Sequence, residues 1–241
     1  MAQLAHREEC EVISKSDLTI VVSEVEVAEL ANEQPDAKVA VISNIHEVAC
    51  DSPGFDDRTG VMFVGGFQHP PNIDAVEYYA NEIWPLLTER CPDLETYIIG
   101  SRMPDRLKRF GESRGLKMLG FVEDLTPYYE SCTLAIAPLR YGAGVKGKVN
   151  QALSFGLPVV GSPVAFEGMG LTHERDVMVA ETAEGFAESV AKVCADPALW
   201  QTLSERGGAS LAGRFTPEVA EAALRDVLAP WLDEGDLETV G

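Results

Sequence analysis

The residues best suited to chemistry cluster in Ala137–Gly161, which reads APLRYGAGVKGKVNQALSFGLPVVG. An apolar run ends at Pro138, a turn carries Gly142, Gly144 and Gly147, and a helical pattern opens at Lys148. In open α/β sheets ligands bind beyond the carboxyl ends of the strands, where helix N-termini present unpaired N–H groups. Glycines let the backbone come close to an anion there. Lys146 and Lys148, with Arg140 nearby, add up to three cations. The chemistry this predicts is the binding of a phosphate or diphosphate. The plainer alternative is a tight strand-to-helix turn with solvated lysines.

Two familiar patterns overlap this turn. Gly142-x-Gly144-x-x-Gly147 matches the dinucleotide fingerprint, but several strand-like runs precede it, and the next one ends in Gly161-Ser162 rather than an acid for a ribose. Gly142 to Lys148 nearly matches a P-loop, with Val149 where a magnesium-binding Ser or Thr belongs. Neither a nicotinamide enzyme nor an NTPase is the better reading.

Four further turns end strand-like runs on the same expected side. Val64-Gly65-Gly66 suits the floor of a ligand crevice and equally a purely structural Gly-Gly turn, with Asn72 as the expected cap of the following helix. Gly120–Asp124 offers backbone near Val122 that could meet a base edge, Glu123 and Asp124 being more simply loop and cap residues. Gly100-Ser101-Arg102 supplies a cation, and Phe166-Glu167-Gly168 an acid.

These turns need a sheet to hold them. Strand-like runs occur at Leu18–Ser23, Lys38–Ser43, Val61–Gly65, Thr96–Gly100, Lys117–Phe121, Thr133–Pro138, Leu157–Gly161 and Val177–Ala180. Most are continuously apolar, as in parallel strands buried on both faces. Helical stripes lie between them, such as Ile73, Val76, Ala80, Ile83, Trp84 and Leu87. The predicted class is α/β, a doubly wound, mainly parallel Rossmann-like sheet. The expected organisation is a helix-strand-helix-strand remnant over 1–50, a linker at 51–59, the Rossmann-like domain over 60–183, helices packed on it over 184–232, and a tail at 233–241.

Charge narrows the partners. Nineteen basic against 39 acidic side chains give −20, which disfavours nucleic acid and anionic lipid. No run of about 18 apolar residues suggests a membrane span, and the first twenty residues lack the apolar core of a secretory signal. Cys10, Cys50, Cys91, Cys132 and Cys194 are scattered with no C-x-x-C, and no H-x-x-x-H pair occurs. The expectation is reduced thiols, no metal site and a cytoplasmic protein.

Taken together, VMFVGG (61–66), PNIDA (71–75), Ile98–Gly100, GFVED (120–124), APLR (137–140), the basic turn Gly142–Lys148, Gln151-Ala152-Leu153, GLPVV (156–160) and FEGM (166–169) resemble the donor-binding half of retaining GT-B glycosyltransferases of group 1, the family 4 type. The resemblance runs over about residues 17–230, and Asp17–Asn44 looks like the end of that family's acceptor-side domain. It implies that Gly65 and Gly66 lie against the donor diphosphate, that Lys146 and Lys148 balance its leaving charge as the catalytic pair, and that Val122 meets the base. Arg102, Arg140, Gly144, Gln151 and Glu167 complete the expected donor site. The donor implied is a UDP- or GDP-type sugar, with no cofactor or metal, and the acceptor a glycan or lipid.

Departures from the pattern stand beside these matches. Two glutamates common in the family read here as Ala143 and Gln151, and an arginine and a lysine after the first strand read as Gly66 and Pro71. Most of the acceptor domain is missing from the match, which points to a fragment of a longer enzyme, a separate N-terminal partner or a chain that no longer catalyses, and apolar surface left where that domain would pack could make the chain a homo-oligomer. The competing hypothesis is a non-catalytic binding or assembly module. A 2-epimerase of similar plan lacks its acidic and histidine constellation here.

Overall fold

The computed structural model describes residues 2–48 and 53–231 of the 241-residue chain. The chain opens with α1 (Ala2–Lys15), β1 (Thr19–Val21), α2 (Glu24–Glu33) and β2 (Val39–Val41). It continues through β3 (Val61–Val64), α3 (Pro70–Tyr78), α4 (Trp84–Arg90), β4 (Thr96–Ile99), α5 (Asp105–Lys108), β5 (Leu116–Gly120) and α6 (Thr126–Ser131). Next come β6 (Leu134–Ala137), α7 (Gly147–Ser154), β7 (Val159–Gly161) and β8 (Met178–Val179), and finally α8 (Ala183–Ala195), α9 (Pro197–Ala212) and α10 (Pro217–Leu228). Seven of the eight expected strand runs contain one of these strands, and the eighth, Lys117–Phe121, overlaps β5, which begins one residue earlier at Leu116.

The chain forms two compact units, Glu47–Ala212 and Met1–His46 with Gly213–Gly241. The larger holds a six-stranded sheet in the order β5-β4-β3-β6-β7-β8, every pair parallel. The strand order reverses between β3 and β6, the doubly wound topology that opens a ligand crevice at the carboxyl ends of those two strands. β6 is buried at all of its positions, because helices cover both faces of a parallel sheet. β5, on the edge, alternates instead, with Leu119 exposed and Leu116 buried.

The helix after β3 departs from the simple periodic pattern. Its N-cap is His69 with Pro70 and Pro71 in the first turn, not Asn72 as the cap residue type suggests. Proline has no N–H to leave unpaired and a φ suited to a helix start. Tyr79–Ile83 then widens into a π turn before Trp84-Pro85, the Trp84 N–H reaching Tyr79 O. Pro85 cannot donate to the ladder and its ring crowds the carbonyl four residues back, which accounts for the widening.

Residues 53–59, read from sequence within a linker, are anchored in the larger unit. Arg58 is buried and donates to Pro53 O, Tyr129 O and Cys132 O at 2.9, 2.7 and 2.9 Å, stacking over Trp200. Residues 51 and 52 of that stretch, Cys50, and the expected 233–241 tail lie outside the described residues. α8 and α9 belong to the larger unit, whereas α10 groups with the N-terminal elements. That smaller unit pairs β1 with β2 in parallel. Its His46 N–H reaches Phe215 O at 2.7 Å, and among its described apolar residues Ile13 and Phe215 are buried.

Candidate functional site

The crevice rim of the larger unit is built from glycines that no other residue could replace without displacement. Gly65 donates its N–H to Ile99 O at 3.0 Å, and Gly100 donates to Gly120 O at 2.7 Å, so the ladder runs one step past the strand ends. A Cβ on Gly100 would stand 1.9 Å from Gly65 O, an impossible approach. A Cβ on Gly65 would stand 2.7 Å from Asn72 Cγ and 2.9 Å from Lys148 Nζ. The missing side chain at position 65 is thus the space the Lys148 ammonium occupies.

Lys148 comes from the first turn of α7. Its Nζ donates to Asn72 Oδ1 at 2.5 Å and sits 4.3 Å from the centre of the Phe63 ring. Asn72 is itself buried, and its Nδ2 donates to Gly66 O at 2.8 Å. The side chain of Lys148 is half-buried, but its ammonium is desolvated between ring and amide. That desolvation, with a smaller push from Lys146, brings its pKa down to about 7. Among the described residues no carboxylate pairs with it. A buried cation with a neutral partner favours any anion that can reach it.

Lys146 caps α7 and folds over its own loop, its Nζ donating to Gly144 O at 2.5 Å and reaching Gly142 O at 3.4 Å. Gly142 and Gly144 make that wrap through left-handed backbone, φ 135 and 75. Burial lowers the Lys146 pKa, and nearby Glu167 works against the shift. The open N–H groups of α7 add partial positive charge at the same place. Gly65, Gly66, Gly144, Lys146, Lys148 and Glu167 are therefore brought together.

Other expected site residues are placed differently. Arg140 is committed to a two-pronged ion pair with Asp74, lies 3.9 Å from Glu82 and stacks over Tyr78. Arg102 ends the turn after β4 in left-handed backbone, φ 57, exposed and without a hydrogen bond or ion pair among the described residues. Val122 is half-buried in the turn after β5, and Asp124 there accepts from Thr126 N at 2.9 Å as a local cap. Gln151 lies on α7 facing Ser154, with Nε2 3.4 Å from its Oγ. The residue that sequence reasoning missed is Asn72. The signal available was that Pro70 and Pro71 already start the helix, leaving the asparagine side chain free for another role.

Elsewhere, in the smaller unit, His6, Cys10 and Glu33 hold donor atoms within 4.8 Å of one another. Both His6 and Glu33 face solvent, and an exposed contact of 3.5 Å between them accounts for the grouping. Cys91, Cys132 and Cys194 are free thiols, and burial pushes the last two up to about 12. No helix among the described residues is long and apolar enough to cross a membrane.

Comparison with known proteins places this geometry. Among solved structures, TarM of S. aureus, determined with Fondaparinux, alpha-GlcNAc-glycerol and UDP, superposes with a TM-score of 0.78 at 14% identity, over 93% of this chain and 45% of that one. The pneumococcal O-GlcNAc transferase GtfA, determined with UDP and GlcNAc, gives 0.75 at 16% identity over 94% and 47%. Sucrose-phosphate synthase from Thermosynechococcus elongatus gives 0.74 at 18% over 92% and 60%. At such identities the likeness shows the fold, one half of a GT-B architecture. A curated relative, an uncharacterized 44.6 kDa protein in the cps region of Klebsiella pneumoniae, is 28% identical over 138 residues, 54% of this chain and 36% of its own length. The chain thus spans about a third of that relative and less than half of TarM. The model of the family described as glycosyl transferases group 1 matches residues 58–196, more than half of the chain and the whole span from β3 through α8. The sheet, its reversed strand order and the basic turn at its carboxyl edge are therefore those of a member of the glycosyl transferases group 1 family.

Proposed function

We propose that this chain is the donor-binding part of a hexosyltransferase that uses a nucleoside-diphosphate sugar, of UDP or GDP type, and transfers its sugar with retention to a glycan or lipid acceptor. The observation that carries the proposal is Lys148, a desolvated ammonium with a neutral partner, held under the Gly65–Gly66 turn at the strand-order reversal. Its chemistry asks for an anion. That TarM and GtfA were each determined with UDP supports a nucleoside diphosphate as the class.

In this reading the diphosphate lies over Gly65 and Gly66, against the N–H groups of α7. As the bond from the anomeric carbon to the phosphate oxygen breaks, negative charge grows on the leaving diphosphate. Lys148 and Lys146 meet that charge, a stabilisation larger in the transition state than in the ground state. Lys146 would release its hold on Gly142 and Gly144 to do so. The backbone at Val122 meets the base, Gln151 accepts a ribose hydroxyl through its amide oxygen, and Glu167 keeps Lys146 charged. Arg140, tied to Asp74, orients the loop rather than the phosphate.

A second reading, a binding module that has lost catalysis, is favoured by Ala143 and Gln151 standing where acidic groups occur in the resembling family. Titration calorimetry with UDP and GDP separates the two. The enzyme reading expects saturable binding that collapses in Lys146→Ala and Lys148→Ala. Absence of binding by the folded protein at millimolar nucleotide contradicts it.

A further inference from the structure

Asn72 serves no local capping purpose. The helix it sits in is already started by two prolines, and its side-chain oxygen accepts from Lys148 Nζ rather than from a helix N–H that a cap would serve. Its amide instead spans two groups of opposite need. Gly66 O can only accept and the Lys148 ammonium can only donate, so Nδ2 must face the carbonyl and Oδ1 the lysine. No other side chain of this shape does both. Aspartate cannot donate to Gly66 O, and leucine can do neither. Because the amide is neutral, it fixes the ammonium without cancelling its charge, which a carboxylate at the same place would do.

We propose that Asn72 is a positioning residue for the donor diphosphate, holding the Lys148 ammonium beneath the Gly65–Gly66 turn while leaving its charge for the ligand. The inference rests on the donor-site reading above and adds to it a residue on α3 and a reason for that residue's neutrality. It also makes the site protonation-linked. The groups facing Lys148 are the Phe63 ring and the Gly65 backbone from the β3 side, Asn72 from α3, Tyr129 from α6, which lines the same small cavity, and Lys146 at the start of α7. Burial holds the Tyr129 hydroxyl neutral, its pKa pushed up to about 12, and Glu167 acts on Lys146. Nothing among these neutralises Lys148, so an arriving diphosphate is its first counter-charge.

The test is calorimetric titration of the full chain with inorganic pyrophosphate and with UDP, from about pH 6 to about pH 9, the range in which a depressed lysine titrates. Asn72→Asp and Asn72→Ala are compared with the unaltered protein, and because all three meet the same ligand at the same pH, the ligand's own titration cancels in the comparison. In the unaltered protein, affinity above pH 7 falls toward tenfold per unit as Lys148 loses its proton. Asn72→Asp moves that break up by about 1–3 units and weakens binding at the acid end by about tenfold, since the carboxylate claims the ammonium. In Asn72→Ala the ammonium turns to solvent, so the break leaves the neutral range and affinity drops several-fold.

A merely structural asparagine would weaken binding without moving the break, and that result overturns the proposal. Should Asn72→Ala fail to fold, the shape-preserving Asn72→Asp and the side-chain NMR titration of Lys148 in the unaltered chain decide. Binding of both probes with Lys148 titrating like an exposed lysine defeats the role of Asn72 and leaves the donor site standing. No binding of either probe, with Lys148 titrating near 7, defeats the donor site itself and the proposal with it.

Discussion

Replacing Gly65 by alanine adds one methyl group at the centre of the site, and the structure says what that methyl meets. The new Cβ would stand 2.7 Å from Asn72 Cγ and 2.9 Å from Lys148 Nζ, distances that force one of them to move. Gly65 does not use left-handed backbone, so alanine brings no φ strain and the effect is steric. The lysine end is the softer of the two, and it swings away from the turn. Overpacking of this kind costs about 1–3 kcal/mol of stability. Losing a charge-assisted hydrogen bond to the diphosphate costs a further ~1.5–3 kcal/mol in binding, which is roughly ten- to more than a hundredfold in Kd. Gly100→Ala is the contrasting control, because its Cβ would meet Gly65 O at 1.9 Å, and backbone cannot swing aside. Calorimetry with UDP and thermal unfolding read the two effects. Gly65→Ala should stay folded with UDP affinity at least about tenfold weaker, whereas Gly100→Ala should chiefly lower the unfolding temperature. A folded Gly65→Ala that binds UDP like the unaltered chain would overturn this view of the turn.

Three other outcomes follow from the same geometry. Lys148→Met should abolish UDP binding yet raise stability near neutral pH. The folded pKa of Lys148, about 7, lies below its ordinary value of 10.5, so burying its charged form costs stability below pH 7 and the cost is relieved as pH rises from 7 toward 10.5; chemical denaturation in parallel with calorimetry checks both signs. Arg140→Ala should change UDP affinity less than about threefold and stability by about 1 kcal/mol or less, since its pairing with Asp74 is largely exposed. Asn150 is fully buried in α7 with both amide atoms lacking a partner among the described residues, so Asn150→Leu should raise the unfolding free energy by about 1–3 kcal/mol, and a lower melting temperature would count against that view.

The strands were legible because burial on both faces of a parallel sheet leaves continuous apolar runs, as in Leu134–Ala137, and because their ends are marked by glycines that the crossing backbones require. Lys146 and Lys148 were legible as candidates because the turn and the helix start are local features. What local pattern does not carry is partnership at a distance. Arg140 meets Asp74 across 66 residues of sequence and Lys148 meets Asn72 across 76, so one cation was bound for an ion pair and the other for a neutral amide without any difference in their immediate neighbours. The same limit explains Arg58, whose polar surroundings read as a linker but whose guanidinium closes over the carbonyls of Tyr129 and Cys132. Helix α10 has an ordinary amphipathic stripe, and nothing in its periodicity says which unit that stripe faces.

A crystal structure of the chain with UDP would decide where the diphosphate sits. Phosphate oxygens are expected over Gly65 and Gly66, within hydrogen-bond distance of Lys148 Nζ, with Asn72 still bridging Gly66 O to the ammonium. UDP bound elsewhere, or bound there with Lys148 turned away from the phosphates, would contradict the donor-site assignment.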